Sequence, residues 1–260
     1  MSMHGHGSTT AASCPCASAK YPFFHISSTR YTSFPLYLFA KYMAALRLLP
    51  TASFKRRDCD HEALEQMMLR HRHIVVSGWF VRFYDLFEKY KSEIISLFTI
   101  RPELTEPVKA MMTEAEQHDK GNVIRLGVHI RRGDYDKWMD GRFYYDNQVY
   151  ATHIAQFALQ HPGKAIHVYI ATNDMQLNTQ QLACPGTSVT LHWPKGNSIE
   201  DLFMLSECDY IIGPPSTYSL VASMYHDTPI YRMDRPDATL LTPEAFRDFN
   251  HWNRLIGIYD

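Results

Sequence analysis

Apolar and polar positions fall into two textures along this chain. Up to about residue 120 the spacing is helical. Pro35 is well placed at a helix start, and Leu36, Phe39, Ala40, Met43 and Ala44 follow at helical spacing. Tyr84–Phe98 (YDLFEKYKSEIISLF) predicts a second helix, with Leu86, Tyr90, Ile94 and Leu97 on one face. Pro102 and Pro107 punctuate the next stretch, and Leu104–Gln117 predicts a third helix with Glu114 and Glu116 on its solvated side.

From Asn122 onward the texture becomes strand–helix alternation. Strands are predicted at Val123–Ile130 (VIRLGVHI), Ala165–Ala171, Ser188–His192, Tyr210–Ile212 and Thr228–Tyr231. Helices are predicted at Asn147–Leu159, from about Asp174, at Ser198–Glu207 and at Ser216–Tyr225. Such alternation implies an α/β fold, a parallel sheet covered by helices on both faces. Two domains are expected, 1–120 mostly helical and 121–260 Rossmann-like, with the boundary near His118–Gly121. Met1–Cys16 (MSMHGHGSTTAASCPC) lacks a basic region and an apolar run, so residues 1–20 are expected to be a disordered leader rather than a signal peptide.

Composition narrows the classes. The 260 residues carry 26 Lys plus Arg against 27 Asp plus Glu, a formal charge of −1, which removes the basic bias of a general nucleic-acid binder. Any anionic ligand must therefore meet a local cluster of cations. Five cysteines at wide spacing argue against a disulfide framework and for a reducing cytoplasm. Cys14 and Cys16 have no second pair at metal-ligand spacing, so no metal is expected. His71 and His73 read as two polar positions at a strand start. Phe34–Pro50, interrupted by Lys41 and Arg47, is short for a membrane span; a packed helix is expected, with peripheral membrane contact as the alternative.

In a parallel α/β sheet, ligands bind beyond the carboxyl ends of the strands. That rule brings four places to one rim: His129–Asp134, Thr172–Asp174, Asp201 with its helix, and Pro214–Tyr218. Arg131 and Arg132 leave a buried strand side by side. Each offers a planar fork suited to phosphate oxygens, and Asp134 is near enough to hold one of them. The alternative is a surface Arg–Asp pair worth under about 1 kcal/mol. Ser216 and Thr217 open a helix after a Gly-Pro-Pro corner, presenting backbone N–H groups and a positive dipole end to an anion, or simply capping the helix. Asp201 suits hydrogen bonds to a base or ribose; equally, with Ser198 as N-cap, it reads as a capping-box carboxylate. Asp174 likewise reads as a first-turn residue complementing a helix dipole. Trp79, Trp138, Trp193 and Trp252 could be core or pocket walls. No GxGxxG fingerprint and no P-loop is present, so neither an obvious dehydrogenase nor a P-loop NTPase is indicated.

The run LGVHIRRGDY (Leu126–Tyr135) closely resembles the HxRRxD motif of GDP-fucose-dependent fucosyltransferases, especially the α-1,2-fucosyltransferase family. Glu200–Tyr225 (EDLFMLSECDYIIGPPSTYSLVASMY) resembles that family's donor-site block. Ala171–Asp174 resembles its [ST]DD turn, with Asn173 departing from the first Asp, and Gly78–Ile94 is similar to bacterial members. The resemblance implies a GT-B fold of two Rossmann-like domains facing across a cleft. It also implies inverting transfer of fucose from GDP-fucose to a sugar hydroxyl, a galactoside 2-hydroxyl in that family, with no cofactor and no bound metal.

By the same resemblance Arg131 acts catalytically on the donor diphosphate. Arg132, His129, Asp134 and Asp174 support the nucleotide site, Asp201 meets guanine or ribose, and Ser216, Thr217 and Tyr218 meet the diphosphate. Met1–Phe34 lacks the family's Gly-rich opening turn, so the acceptor-side domain is expected to be incomplete or divergent. An inactive nucleotide-sugar-binding remnant is the alternative reading. The implied partners are GDP-fucose and a glycan acceptor, with no nucleic acid.

Overall fold

The structure, a computed structural model, describes residues 24–25, 34–56, 58–78, 80–119, 121–234 and 241–255. The leader, Cys14, Cys16 and Trp79 lie outside the described residues. The chain divides into two compact units, Met1–Thr99 and Ile100–Asp260.

The first unit is not only helical. Strands β1 (Thr51–Phe54) and β2 (Val75–Gly78) pair in parallel. Between them runs a helix, His61–Arg70, whose N-cap Asp60 accepts a 3.0 Å bond from the Ala63 amide. Four-residue strands (TASF and VVSG) are too short to impose a period of two on the sequence, which hides them. His71 and His73 directly precede β2, as the pattern predicts. The Tyr84–Phe98 segment breaks at Tyr90 into Tyr84–Lys89 and Lys91–Leu97. Helix Phe34–Ala45 forms as expected and touches β2, but it is not buried: Leu36, Phe39 and Tyr42 are exposed, and no described side chain on it is fully buried. Its sequence is apolar on nearly every side, so no single face is selected for a core. Among the described residues, no helix is long and apolar enough to cross a membrane.

The second unit is mixed α/β with five parallel strands: β3 (Val123–Ile130), β4 (Ala165–Thr172), β5 (Val189–His192), β6 (Tyr210–Gly213) and β7 (Ile230–Arg232). Their order is β5-β4-β3-β6-β7. The order reverses between β3 and β6, the point where open α/β sheets leave a crevice for ligand. Eight consecutive pairs from Val123↔Ala165 to Ile130↔Thr172 end β3 and β4 at the same level.

Strand β3 shows why the sheet is two-sided. Leu126, Val128 and Ile130 join Tyr150, Ile154 and Phe157 of helix Asn147–Gln160 in the main core. Gly127 faces the other way, where an added Cβ would lie 2.8 Å from Leu205 of helix Ser198–Ser206. Helix Pro102–Glu116 belongs to this unit, although the sequence boundary near His118–Gly121 would leave it with the first. Its Val108 and Met112 are buried, and Glu116 accepts 2.8 Å bonds from Arg125 and a 2.6 Å bond from Tyr169. Periodicity marks an apolar stripe without saying which core receives it.

Two further elements differ from expectation. No helix starts at Asp174: the side chains of Asp174 and Asn178 accept from the Gln176 and Gln180 amides, and only a short 3-10 turn forms at Thr179–Leu182. These Asx turns satisfy the backbone locally and compete with a helix. Helix Ser198–Ser206 is capped by Asn197, not Ser198, with Glu200 closing the capping box. Asn is at least as good a cap as Ser, and Glu200 stands at its third helical position.

Candidate functional site

A cavity of about 370 Å³ opens at the carboxyl ends of β3, β6 and β7. It gathers Arg131, Asp134, Ser216, Thr217 and Tyr218, five of the residues expected at the site, on one wall system. Arg131 donates a 2.8 Å bond to Asp134 and lies 5.5 Å above the Tyr135 ring. The turn after the arginines needs a left-handed residue, and Gly133 supplies it at φ 68°. Gly213 allows the second approach: a Cβ there would sit 3.0 Å from the His129 carbonyl.

Opposite Arg131 stands the N-terminus of helix Thr217–His226. Ser216 caps it, accepting 3.2 Å from the Tyr218 amide, while first-turn amides have no carbonyl partner within the helix. The Ser216 cap therefore leaves other first-turn amides without a partner inside the helix. The Tyr135 hydroxyl donates to the Pro215 carbonyl and so ties the β3 loop to the β6 corner.

The two adjacent arginines part company. Residue 132 is extended (φ −122°, ψ −159°), and successive side chains in extended backbone point to opposite sides. Arg132 turns into the protein, only 8% exposed, donating to the Tyr145 carbonyl and, at 2.7 Å, to Asn147 Oδ1. Asn173 clasps its backbone at both ends, Oδ1 accepting from the Arg132 amide at 2.7 Å and Nδ2 donating to its carbonyl at 3.1 Å. The departure from the [ST]DD turn thus has a structural task. Asp174 stands 4.0 Å from the Arg132 guanidinium, and both line a second cavity rather than the first.

Neither His129 nor Asp201 lines the cavity; both are buried, and the His129 ring packs 5.1 Å from that of Tyr218. Burial first, and the Arg131 charge second, lower the His129 pKa to about 3, so its imidazole is neutral at pH 7 and adds no cation. Asp201 is 8% exposed and is not the capping carboxylate, since Glu200 takes that place. Burial, with Glu200 adding to it, pushes the Asp201 carboxyl up to about 7. An unfolded Asp titrates near 3.9, so between about pH 4 and 7 the native state holds more protons. This residue's contribution to stability is therefore lost as pH rises through that window. Asp201→Asn should flatten the decline in thermal melts taken from pH 4 to 8; a decline of unchanged size would assign it to other groups.

Three cavity residues escaped sequence reasoning or were left open by it. Arg232, at the carboxyl end of β7, lines the cavity, bonds Asp234 at 3.1 Å and stacks 4.8 Å from the Trp252 ring. The strand-end rule that singled out Arg131 applies equally to it. Trp138 and Trp252 are cavity walls; the Trp252 indole is fixed by a 3.0 Å bond to the Ile230 carbonyl. Among the described residues, no cluster of His, Cys, Asp and Glu could hold a metal ion, and Cys59, Cys184 and Cys208 are free thiols.

Fold and cavity together define a Rossmann-like α/β unit with a cavity at its topological switch point, lined by two arginines and a helix N-terminus. The model of glycosyl transferase family 11 matches residues 53–241, and the chain belongs to that family. No curated protein sequence matches it significantly. Among solved structures it is similar to NodZ alpha-1,6-fucosyltransferase soaked with GDP-fucose (16% identity, TM-score 0.44, covering 83% of this chain and 71% of that one). It is also similar to NodZ from Bradyrhizobium (16%, TM-score 0.41, covering 80% and 70%). A single-residue mutant of FUT1 from Arabidopsis thaliana in complex with GDP is a further likeness (13%, TM-score 0.46, covering 80% and 56%). This chain spans little more than half of that FUT1 chain.

Proposed function

We propose that the protein transfers L-fucose from GDP-fucose to a sugar hydroxyl, with inversion at the anomeric carbon. The observation that carries this reading is one cavity, in a chain of glycosyl transferase family 11, where Arg131 of the HIRRGD run faces a helix N-terminus. In the reaction the acceptor oxygen attacks the anomeric carbon from the face opposite the diphosphate and gives up its proton to a base. The bond to the β-phosphate oxygen breaks, and its electron pair leaves with GDP. Negative charge therefore grows on the leaving diphosphate, and groups already aimed at it stabilise that charge without reorganisation. Arg131, Arg232 and the first-turn amides of helix Thr217–His226 are such groups. The guanidinium pair occupies the role a divalent cation would otherwise fill, so turnover is proposed to need no metal. The resemblance of the HIRRGDY run to fucosyltransferases supports fucose as the sugar; a galactoside 2-hydroxyl acceptor is proposed on the same footing.

The test is GDP release from GDP-fucose in the presence of β-galactosides and EDTA, with GDP and UDP titrated by calorimetry. Turnover with GDP-fucose, GDP binding tighter than UDP, and a drop of about tenfold or more in GDP affinity for Arg232→Ala are expected. Equal affinity for GDP and UDP would overturn the donor assignment, and GDP binding with no transfer to any acceptor would identify a non-catalytic binder instead.

A further inference from the structure

Charge is divided unevenly between the opening of the chain and the rest. Residues 1–57 contain no Asp or Glu and seven cations, the last three being the run Lys55-Arg56-Arg57. The remaining residues therefore carry 19 cations against 27 acids, a net charge of −8. Attraction to an anionic surface must come from the opening segment, because the remainder is repelled by such a surface. Helix Phe34–Ala45 lies within that segment and outside residues 53–241, the span matched by the family model. None of its residues lines the cavity that holds Arg131.

The geometry of the helix leaves an apolar stripe uncovered. Leu36, Phe39, Tyr42 and Leu46 are each more than half exposed. They recur every three to four residues and so share one side of the helix. The Leu46 amide donates a 2.9 Å bond to the Tyr42 carbonyl, which carries the turn one residue past Ala45. Leu38, Ala40, Met43 and Ala44 are half-buried, and the helix touches β2. The unit thus covers part of this all-round apolar helix and, among the described residues, leaves the Leu36–Leu46 stripe bare. Lys41, Arg47 and Lys55 are exposed beside it, whereas Arg56 is spent on a 2.7 Å ion pair with Asp58.

Stripe and cations together fit a lipid surface. Twelve residues rising about 1.5 Å each make a helix of about 18 Å, well short of the roughly 30 Å hydrocarbon layer. The helix therefore cannot cross a bilayer, but it can lie along one with its apolar side among the acyl chains. Tyrosine suits the headgroup level there, and the long stems of lysine and arginine let their charges reach the phosphates. Each cation close to an anionic membrane raises partitioning roughly fivefold, so Lys41, Arg47 and Lys55 turn weak apolar adsorption into selective binding. We infer that helix Phe34–Ala45, with these three cations, is a docking surface for an anionic phospholipid bilayer. That role stands independently of the transferase reading.

The test is co-sedimentation of the full chain with two kinds of vesicle, phosphatidylcholine alone and phosphatidylcholine mixed equally with phosphatidylserine. Wild type should bind the mixed vesicles about tenfold or more tightly than the neutral ones. That preference should vanish in about 1 M salt, where the Debye length is about 3 Å. Lys41→Gln/Arg47→Gln should weaken binding to the mixed vesicles about tenfold. Phe39→Ser/Leu46→Ser should abolish binding to both kinds. Leu159→Ser, at an exposed apolar position on helix Asn147–Gln160, should leave binding at the wild-type value. The altered side chains are exposed, and melting curves confirm that each variant is folded. No wild-type binding to either vesicle would overturn the inference, as would binding that Phe39→Ser/Leu46→Ser leaves intact. Equal affinity for the two vesicles would overturn the assignment to anionic lipid. If wild type instead sediments without lipid as a dimer that Phe39→Ser/Leu46→Ser dissociates, the stripe belongs to a second copy of the chain and the lipid assignment falls.

Discussion

Arg131→Ala should lower kcat/KM for fucose transfer by roughly 10²–10³-fold while leaving the melting temperature almost unchanged. A hydrogen bond to a charged group contributes about 1.5–3 kcal/mol, and the guanidinium fork can make two to a diphosphate. At 1.36 kcal/mol per tenfold, two such bonds at the lower end give about two orders of magnitude. The loss should fall mainly on kcat, because the charge on the leaving GDP is greatest in the transition state. Stability should hold because the native partner of Arg131 is Asp134, whose side chain is 63% exposed, and exposed pairs contribute at most about 1 kcal/mol. Arg131→Lys should recover part of the rate, since it restores charge without the planar fork. GDP release measured on wild type and both variants decides the matter; equal rates for wild type and Arg131→Ala would remove this arginine from the chemistry.

Arg132→Ala should behave in the opposite way, costing about 3–5 kcal/mol of stability. The substitution leaves the Tyr145 carbonyl and Asn147 without their donor and strips a cation from the faces of Tyr144 and Tyr150, 4.8 and 5.7 Å from the ring centres. Two lost bonds to a charged group account for that cost. For a unit of this size it corresponds to a fall of roughly 10 °C in melting temperature. Lysine should not rescue it, because a single ammonium cannot serve both the carbonyl and the amide in their fixed geometry. GDP titration below the melting range should still show binding. Unchanged thermal melts would mean that Arg132 is not the clamp its bonds describe.

The contrast shows how far residues alone carried the reading. The HIRRGD run, the Gly-Pro-Pro corner and the five-strand alternation were all legible, because strand ends and helix starts depend on local pattern. Val123–Ile130 matches its predicted span residue for residue, and Ser216 caps the predicted helix. Less legible were features decided by competition between neighbours. Asn197 outcompetes Ser198 for the cap and so releases Asp201 from that duty. Asx turns replace the helix expected at Asp174. The exposed apolar helix Phe34–Ala45 shows that hydrophobicity without a preferred face does not predict burial.

Local chemistry, then, was enough to place a parallel α/β sheet and to point to five of the residues that line the cavity at its strand ends. A strand's alternation and a turn's glycine are encoded within a few residues, where short-range sterics and hydrogen bonds dominate. The division of labour at that rim came from contacts distant in sequence. Arg131 faces a cavity because β6 and β7 close around it, and Arg132 is buried because Asn173 and Tyr145 receive it. Arg232 joins Arg131 although 101 positions separate them, because strand order β3-β6-β7 sets their ends side by side. Those proximities are set by the packing of whole elements, and only the folded sheet reveals them.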